Sequence, residues 1–277
     1  LVGSEMCIRD RIYSGSLQEW VSLSKSKSKI FLDPKARNNM QDLEKQLELA
    51  QDQQNRIIVT DGVFSMDGTI ANLDKICDLA DKHDALVMVD DCHATGFVGS
   101  SGKGTAEHFG LEGKIDFLTG TLGKALGGAS GGFICAKNNV VELLKQKSRP
   151  YLFSNSLAPS IVGSGIKVLE ILEKSTSLRD QLEENTKYFR KSMSQVGFDI
   201  KDGVHPIVPV MLYDAKLAGE MADKLLDEGI YVIGFSFPVV PKDEARIRVQ
   251  ISAAHSMEDL DKAINAFVKV GKELKVL

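Results

Sequence analysis

The stretch Ala85–Gly96 reads ALVMVDDCHATG and decides the fold class of this chain. It begins with a run of apolar residues, which is typical of a strand that is buried on both faces. Arg56–Thr60, which reads RIIVT, is a second short run of this kind and is rich in β-branched residues. Strands buried on both faces occur in parallel sheets that carry helices on each side. The chain is therefore predicted to contain a mainly parallel α/β domain.

The segments around these two strands continue the alternation of helix and strand. Asn39–Gln51 places apolar residues at helical spacing, and Asn72–Lys82 is also predicted to be a helix. Strands are predicted at Ile115–Thr119 and Gly132–Cys135, and a helix at Val140–Gln146. This order of elements favours an open sheet with helices on both faces.

The chain beyond Pro159 follows a different order of elements, with two long helices first. The predicted helices are Ile161–Glu173, Leu178–Val196, Leu217–Glu228 and Met257–Leu274, and the predicted strands are Ile207–Leu212, Tyr231–Phe235 and Arg246–Ile251. We therefore predict a partial large domain at residues 38–160 and a small C-terminal α+β domain at residues 161–277. Residues 1–37 are interpreted as an atypical start, of which residues 1–11 are predicted to be non-native.

Composition excludes several functional classes. The 277 residues include 34 basic and 38 acidic side chains, a net charge of −4, which argues against non-specific nucleic-acid binding. No apolar run approaches the roughly 20 residues that a membrane-spanning helix needs. The four cysteines are widely spaced and form no CxxC pair, so neither a disulfide framework nor a zinc site is predicted. A reducing, cytoplasmic compartment is the expectation.

Three predicted strands run into unusual polar sequences, and these indicate one functional site. The sequences are DGVFSMDG at Asp61–Gly68, DDCHATG at Asp90–Gly96 and GTLGKALGG at Gly120–Gly128. In open α/β sheets, ligands bind beyond the carboxyl ends of the strands. We therefore expect the three sequences to contribute to a single site.

Lys124 has two interpretations. A P-loop is excluded, because Leu118 and Ala125 occupy positions where that motif needs Gly and Ser or Thr. A lysine in a glycine-rich turn is often simply solvent-facing. Alternatively, its small neighbours leave the amine partly desolvated, which lowers the pKa of a lysine and makes it a nucleophile towards carbonyl groups.

Asp90 and His93 also have alternatives. A carboxylate directly after an apolar strand is costly unless it is paired, so Asp90 either caps the following segment or pairs with a cation. Pyridoxal phosphate has a ring nitrogen that needs such an acidic partner. His93 either contacts the same cofactor or is structural, and a metal site at these two residues lacks an evident third ligand.

Four motifs together resemble the α-oxoamine synthases, a group of fold-type I enzymes that use pyridoxal phosphate. They are DGVFSMDG, VMVDDCHATGFVG, TGTLGKALGGASGG and RPYLFSNSLAP, in this order and spacing. The resemblance extends from about Asn38 to the C-terminus. It implies a reversible acyl transfer, in which glycine and acetyl-coenzyme A give 2-amino-3-oxobutanoate and coenzyme A, as in threonine and glycine metabolism. It also implies a homodimer.

The resemblance implies roles for the residues of the predicted site. Lys124 matches the lysine that binds the cofactor covalently and later moves a proton at the glycine α-carbon. Asp90 matches the partner of the ring nitrogen, and His93 matches the residue that bonds the phenolic oxygen of the cofactor. Ser65 and Thr121 match residues that contact the ring and the phosphate.

Further roles concern the substrate and the neighbouring subunit. Ser154 and Asn155 match a loop that reaches the phosphate bound by the other subunit of the dimer. Arg248 matches the arginine that binds the substrate carboxylate. Arg246 and Arg248 share one face of a strand, and a planar guanidinium suits a carboxylate. The alternative is an exposed face of a surface strand, which applies more to Arg246 than to Arg248.

One departure from the family pattern limits the expectation. Family members have an upstream phosphate-binding turn and a histidine that stacks on the ring, and neither is recognised in this sequence. We therefore expect the chain to be about the last two-thirds of an enzyme, with impaired activity on its own. Two alternatives remain: a sister synthase that uses another acyl-coenzyme A or amino acid, and a non-catalytic fragment.

Overall fold

The structure is a computed structural model that describes residues 28–32, 39–127 and 130–277. The chain divides into two compact units. The first contains Leu1–Gly62 and Ala71–Leu169, and the second contains Val63–Ile70 and Glu170–Leu277. The predicted limits of the domains, and the predicted character of residues 1–37, stay predictions. Among the described residues, every helix is too short or too polar to span a membrane.

The described residues form ten strands and nine helices, and most agree with the predicted elements within two residues. The strands are β1 Ser28–Leu32, β2 Asn55–Asp61, β3 Val63–Phe64, β4 Thr69–Ile70, β5 Leu86–Asp90, β6 Phe117–Thr121, β7 Gly132–Ala136, β8 Ile207–Tyr213, β9 Ile233–Phe235 and β10 Ala245–Gln250. The helices are α1 Met40–Glu48, α2 Leu73–Lys82, α3 Thr105–His108, α4 Asn138–Lys147, α5 Arg149–Phe153, α6 Pro159–Lys174, α7 Ser177–Gln195, α8 Ala215–Asp227 and α9 Met257–Glu273.

The first unit is built on a five-stranded sheet with the order β1-β2-β5-β6-β7. The pairs β1–β2, β2–β5 and β5–β6 are parallel, as the buried apolar runs indicate, whereas β7 pairs with β6 in the antiparallel direction. Because β1, β2, β5 and β6 are parallel, their carboxyl ends lie at one common edge of the sheet. Helix α2 buries Leu73, Ile76, Cys77 and Ala80, which recur at helical spacing.

The second unit contains a three-stranded antiparallel sheet with the order β8-β10-β9 and the hairpin β3–β4. Its core includes Phe267, which packs edge-on against Phe189 and Phe198 with ring centroids 6.4 and 5.8 Å apart. These rings are buried, and such aromatic pairs stabilise a core beyond their buried area. This core supports β10, which carries Arg246 and Arg248.

Helix α9 begins with the expected capping box. The hydroxyl of Ser256 accepts a hydrogen bond from the backbone N–H of Asp259, and the Asp259 carboxylate accepts one from the backbone N–H of Ser256. These bonds satisfy two donors that would otherwise lack partners at the helix end.

We expect Ser256→Ala to lower the free energy of unfolding by about 1 kcal/mol, because it removes this N-cap. Urea denaturation followed by circular dichroism measures the change. Ser194→Ala is the matched control, since Ser194 is exposed inside α7, where alanine suits a helix at least as well. Equal unfolding midpoints for the two variants would show that the cap contributes nothing.

Candidate active site

The carboxyl ends of the parallel strands lie side by side in the first unit. Asp61 pairs in register with Asp90, and Asp90 pairs with Thr119. β6 continues to Thr121, and the glycine-rich turn with Lys124 follows directly. His93 lies in the turn after β5. Four of the predicted site residues, Asp90, His93, Thr121 and Lys124, therefore lie at or just beyond one edge of the sheet.

Asp90 is half-buried, and its two carboxylate oxygens differ. Oδ1 accepts a hydrogen bond of 3.0 Å from the backbone N–H of Cys92, so this oxygen caps the following turn. Oδ2 accepts no hydrogen bond from the described part of the chain. The capping interpretation therefore applies to one oxygen, and the other can accept a hydrogen bond from a donor such as a ring N–H.

Asp91 is the buried acid that sequence reasoning did not single out. Its carboxylate accepts hydrogen bonds from the backbone N–H of Thr105, at 2.8 Å, and from the Thr105 hydroxyl, at 2.6 Å. Burial raises the pKa of Asp91, and the two bonds from Thr105 oppose that rise. A Cβ atom on Gly62 or Gly104 would lie 2.1 or 1.8 Å from a carboxylate oxygen of Asp91.

These contacts explain two glycines of the site that the sequence alone leaves unexplained. Because only glycine leaves room for the carboxylate at positions 62 and 104, Asp91 ties the turn after β5 to the start of α3. The signal in the sequence is the DD pair itself, since adjacent residues at a strand end point in opposite directions. One acid of such a pair faces the interior, and here it is Asp91.

The turn after β6 is held by Thr121. Its hydroxyl accepts a hydrogen bond of 3.1 Å from the backbone N–H of Gly123 and donates one of 3.2 Å to the carbonyl of Gly131. Lys124, whose carbonyl accepts a 2.9 Å bond from Gly127, is half-buried rather than fully solvent-facing. The side chain at position 124 is therefore presented from a fixed turn.

Ser65 and Arg248 lie together in the second unit. The Nη1 atom of Arg248 donates a hydrogen bond of 3.0 Å to the Ser65 carbonyl, and the guanidinium lies 4.9 Å from the centre of the Phe235 ring. Burial lowers the pKa of Arg248. In the described ranges, no carboxylate lies within ion-pair distance of Arg248, so its positive charge lacks a counterion there.

Ser154 and Asn155 are exposed in the segment between α5 and α6. Their contact with a second subunit stays a prediction. Within the described residues, no group of three or more His, Cys, Asp and Glu side chains is arranged to hold a metal ion.

The sequence of this chain is similar to a family of enzymes and to individual members of it. A model of the family described as aminotransferase class I and II matches residues 7–267. The 2-amino-3-ketobutyrate coenzyme A ligase of Escherichia coli K12 is 53% identical over 280 residues, covering 100% of this chain and 69% of that protein. The 8-amino-7-oxononanoate synthase of Thermosipho melanesiensis is 44% identical over 270 residues, covering 98% and 68%.

A solved structure is also similar. It is a serine palmitoyltransferase variant from S. paucimobilis with PLP and myriocin bound, with a TM-score of 0.82 and 33% identity. The match covers 86% of this chain and 60% of that one. The chain thus spans between 60% and 69% of the length of these three proteins.

Proposed function

We propose that this chain, which belongs to the aminotransferase class I and II family, has glycine C-acetyltransferase activity. The reaction condenses glycine with acetyl-coenzyme A to 2-amino-3-oxobutanoate and coenzyme A, and it is reversible. The fold class and the relationship to the α-oxoamine synthases, both expected from the sequence, are confirmed by these matches. The name of the E. coli relative supports the proposed keto acid and coenzyme A.

Pyridoxal phosphate is the cofactor, and residues of the first unit fit it. The oxygen of Asp90 that accepts no bond from the described residues suits a protonated ring nitrogen, and Lys124 offers an amine for the aldehyde. We assign contacts with the ring or phosphate to His93 and Thr121, also of the first unit, and the resemblance assigns such a contact to Ser65 as well. When bound, the cofactor supplies an aldehyde and an electron-withdrawing ring that stabilises negative charge at an amino-acid α-carbon.

The residues of this chain have distinct tasks in the proposed reaction. Arg248 binds the carboxylate of glycine, because its guanidinium is partly buried and lacks a counterion among the described residues. Lys124 removes a proton from the α-carbon of glycine and returns one later. Asp90 keeps a positive charge on the ring nitrogen throughout. The observation that carries the proposal is the register that sets Asp90 beside Thr119, with Lys124 in the turn that follows.

The proposal is tested by mixing glycine and acetyl-coenzyme A with the complete gene product and measuring the release of the coenzyme A thiol. We expect glycine-dependent release that requires pyridoxal phosphate. Release that continues without glycine, or the absence of any release from a protein that binds the cofactor, would contradict the proposed reaction.

Arg248→Lys is expected to raise the KM for glycine by about 10-fold or more, with a smaller change in kcat. A lysine keeps the charge but loses the planar fork that binds a carboxylate through two hydrogen bonds, which contributes about 1.5–3 kcal/mol. Steady-state kinetics with varied glycine measures the effect. Arg179→Lys is the control, since Arg179 is a half-buried arginine of α7 that donates to the Leu172 carbonyl of α6. An unchanged KM for Arg248→Lys would remove this residue from the substrate site.

A sister acyltransferase is the second candidate, and the T. melanesiensis relative supports it, since its name describes a different oxo acid. A panel of acyl-coenzyme A thioesters with glycine, alanine and serine separates the two functions. We expect the highest kcat/KM for acetyl-coenzyme A with glycine. A non-catalytic fragment is the third alternative, and titration with pyridoxal phosphate that gives no visible absorbance band would favour it.

Two further proposals concern assembly and location. We assign Ser154 and Asn155 to contacts with the cofactor phosphate of a partner subunit, which requires a homodimer. Light scattering of the complete gene product measures the oligomeric state. A monomer with full activity would contradict the assignment. A cytoplasmic location is supported by the scattered cysteines, and fractionation of the source cells tests it.

A further inference from the structure

A buried group of charges lies in the second unit around Asp67 and Arg246. Asp67 and Arg246 are 3% and 1% exposed, and their side chains form a direct ion pair through Oδ1 and Nη1. Lys201 Nζ lies 3.3 Å from the same oxygen of Asp67, and the carboxylate of Glu244 lies 2.8 Å from Arg246 Nη2. Asp67 is therefore a buried carboxylate that faces two cations.

Arg246 and Arg248 share a face of β10 but differ in what they can bind. Each of the three guanidinium nitrogens of Arg246 has a partner: Nε donates to the Glu244 carbonyl at 2.9 Å, Nη1 to Asp67 and Nη2 to the Glu244 carboxylate. Because both of its Nη atoms already bind carboxylates of the chain, Arg246 is less suited than Arg248 to bind a substrate carboxylate. Arg248, which lacks a carboxylate partner in the described ranges, keeps that capacity.

The two arginines contact the same short segment, Val63–Ile70, which forms the hairpin β3–β4. Arg246 binds the Asp67 side chain, and Arg248 donates a hydrogen bond to the Ser65 carbonyl. Each contact lies two residues from the other both in β10 and in the segment, in opposite directions. The segment thus lies along β10 with two matched contacts. If the Asp67–Arg246 pair is lost, the bond between Arg248 and the Ser65 carbonyl is the one of these two contacts with β10 that remains.

The backbone of the segment is shaped to present Asp67. The N–H groups of Asp67 and Gly68 both donate to the Phe64 carbonyl, at 3.1 and 2.8 Å. Gly68 has φ +68, and a Cβ there would lie 2.6 Å from the Ile207 carbonyl, so only glycine allows this approach to β8. The tight turn and the buried carboxylate together set where the segment contacts the sheet.

We propose that Asp67 and Arg246 are a pair of positioning residues, which hold Val63–Ile70 on β10 so that the Ser65 carbonyl orients the Arg248 guanidinium. The pair itself does not touch the substrate. The part of this inference that concerns glycine rests on the proposed function, whereas the part that concerns the segment does not.

The test compares Asp67→Asn with the wild-type complete gene product in two measurements. In hydrogen–deuterium exchange, we expect residues 63–70 to exchange at least 10-fold faster in the variant, while α7 and α9 keep their rates. In steady-state kinetics, we expect the KM for glycine to rise about 10-fold with kcat changed less than about 3-fold. Asp67→Glu, which keeps the charge, is expected to recover much of both effects.

Asp199→Asn is the matched control, because it removes an exposed carboxylate that bonds Tyr213 in the same unit. If Asp67→Asn does not fold, Arg246→Lys takes its place, with a smaller rise in exchange expected. Unchanged exchange at residues 63–70 would overturn the positioning role. Faster exchange with an unchanged KM, or with KM and kcat altered alike, would overturn its effect on Arg248. Exchange needs no substrate, so it still decides the first point if the proposed reaction fails.

Discussion

Lys124→Ala is expected to lower the turnover of glycine and acetyl-coenzyme A by a factor of about 10³ or more. The variant loses both the amine that binds the cofactor and the base that moves the α-proton, and removing a general base alone costs about 10² to 10⁴ in rate. The same variant should lose the visible absorbance that wild type gains with pyridoxal phosphate. Coenzyme A release and absorbance titration measure the two effects.

Lys103→Ala is the matched control for that experiment. Lys103, like Lys124, directly follows a glycine, and it is exposed in a loop, so its removal should leave both measurements unchanged. Turnover retained by Lys124→Ala, or lost equally in Lys103→Ala, would contradict the assignment of Lys124.

Asp90→Asn is expected to slow the exchange of the glycine α-proton by a factor of about 10² to 10³, which is typical for the loss of one electrostatic contact to developing charge. Asparagine keeps the shape and the bond to the Cys92 N–H but cannot hold a proton on the ring nitrogen. The cofactor should therefore still bind. Proton NMR of glycine in deuterated water measures the exchange rate.

Asp84→Asn provides the control at the other end of the same strand. Asp84 is exposed and has φ +49, a conformation that asparagine adopts readily, so the fold should tolerate the change. We expect exchange at the wild-type rate. If Asp90→Asn and Asp84→Asn behaved alike, Asp90 would have no specific part in the chemistry.

The sequence predicted most elements because their signals are local. Runs such as ALVMV and RIIVT indicate strands, and the periodic apolar residues of α2 indicate a helix without reference to the rest of the chain. The predicted burial on both faces was wrong, since β2 and β5 bury alternate residues and leave the residues between them half-buried or exposed. Strand β1 was not predicted, since its sequence SKIFL follows a run of lysines and serines that obscures the period.

Features that depend on distant contacts were harder to predict. An apolar run carries no direction, so the antiparallel pairing of β7 was not foreseen, although residues 122–131 are short for the crossover of a dozen or more residues that a parallel pair needs. Val63–Ile70 belongs to the second unit, where it makes contacts such as that of Asp67 with Arg246, 179 residues away in the sequence.

In the candidate site, too, features with a local signal were predicted and features that depend on distant contacts were not. The motifs located Asp90, Lys124 and Arg248, because each stands out from its local sequence. They could not show that Asp91 is the buried acid, or that Arg246 binds two carboxylates while Arg248 binds none among the described residues. Those distinctions arise from the partners that the fold supplies, namely Thr105 for Asp91 and Glu244 for Arg246.

The most direct test of the central claim identifies the lysine that binds pyridoxal phosphate. The complete gene product is incubated with the cofactor and reduced with borohydride, which converts the bond between amine and aldehyde to a stable one, and its peptides are analysed by mass spectrometry. We predict that the pyridoxyl group is found on Lys124. A label on another lysine, or no label at any lysine, would contradict the account.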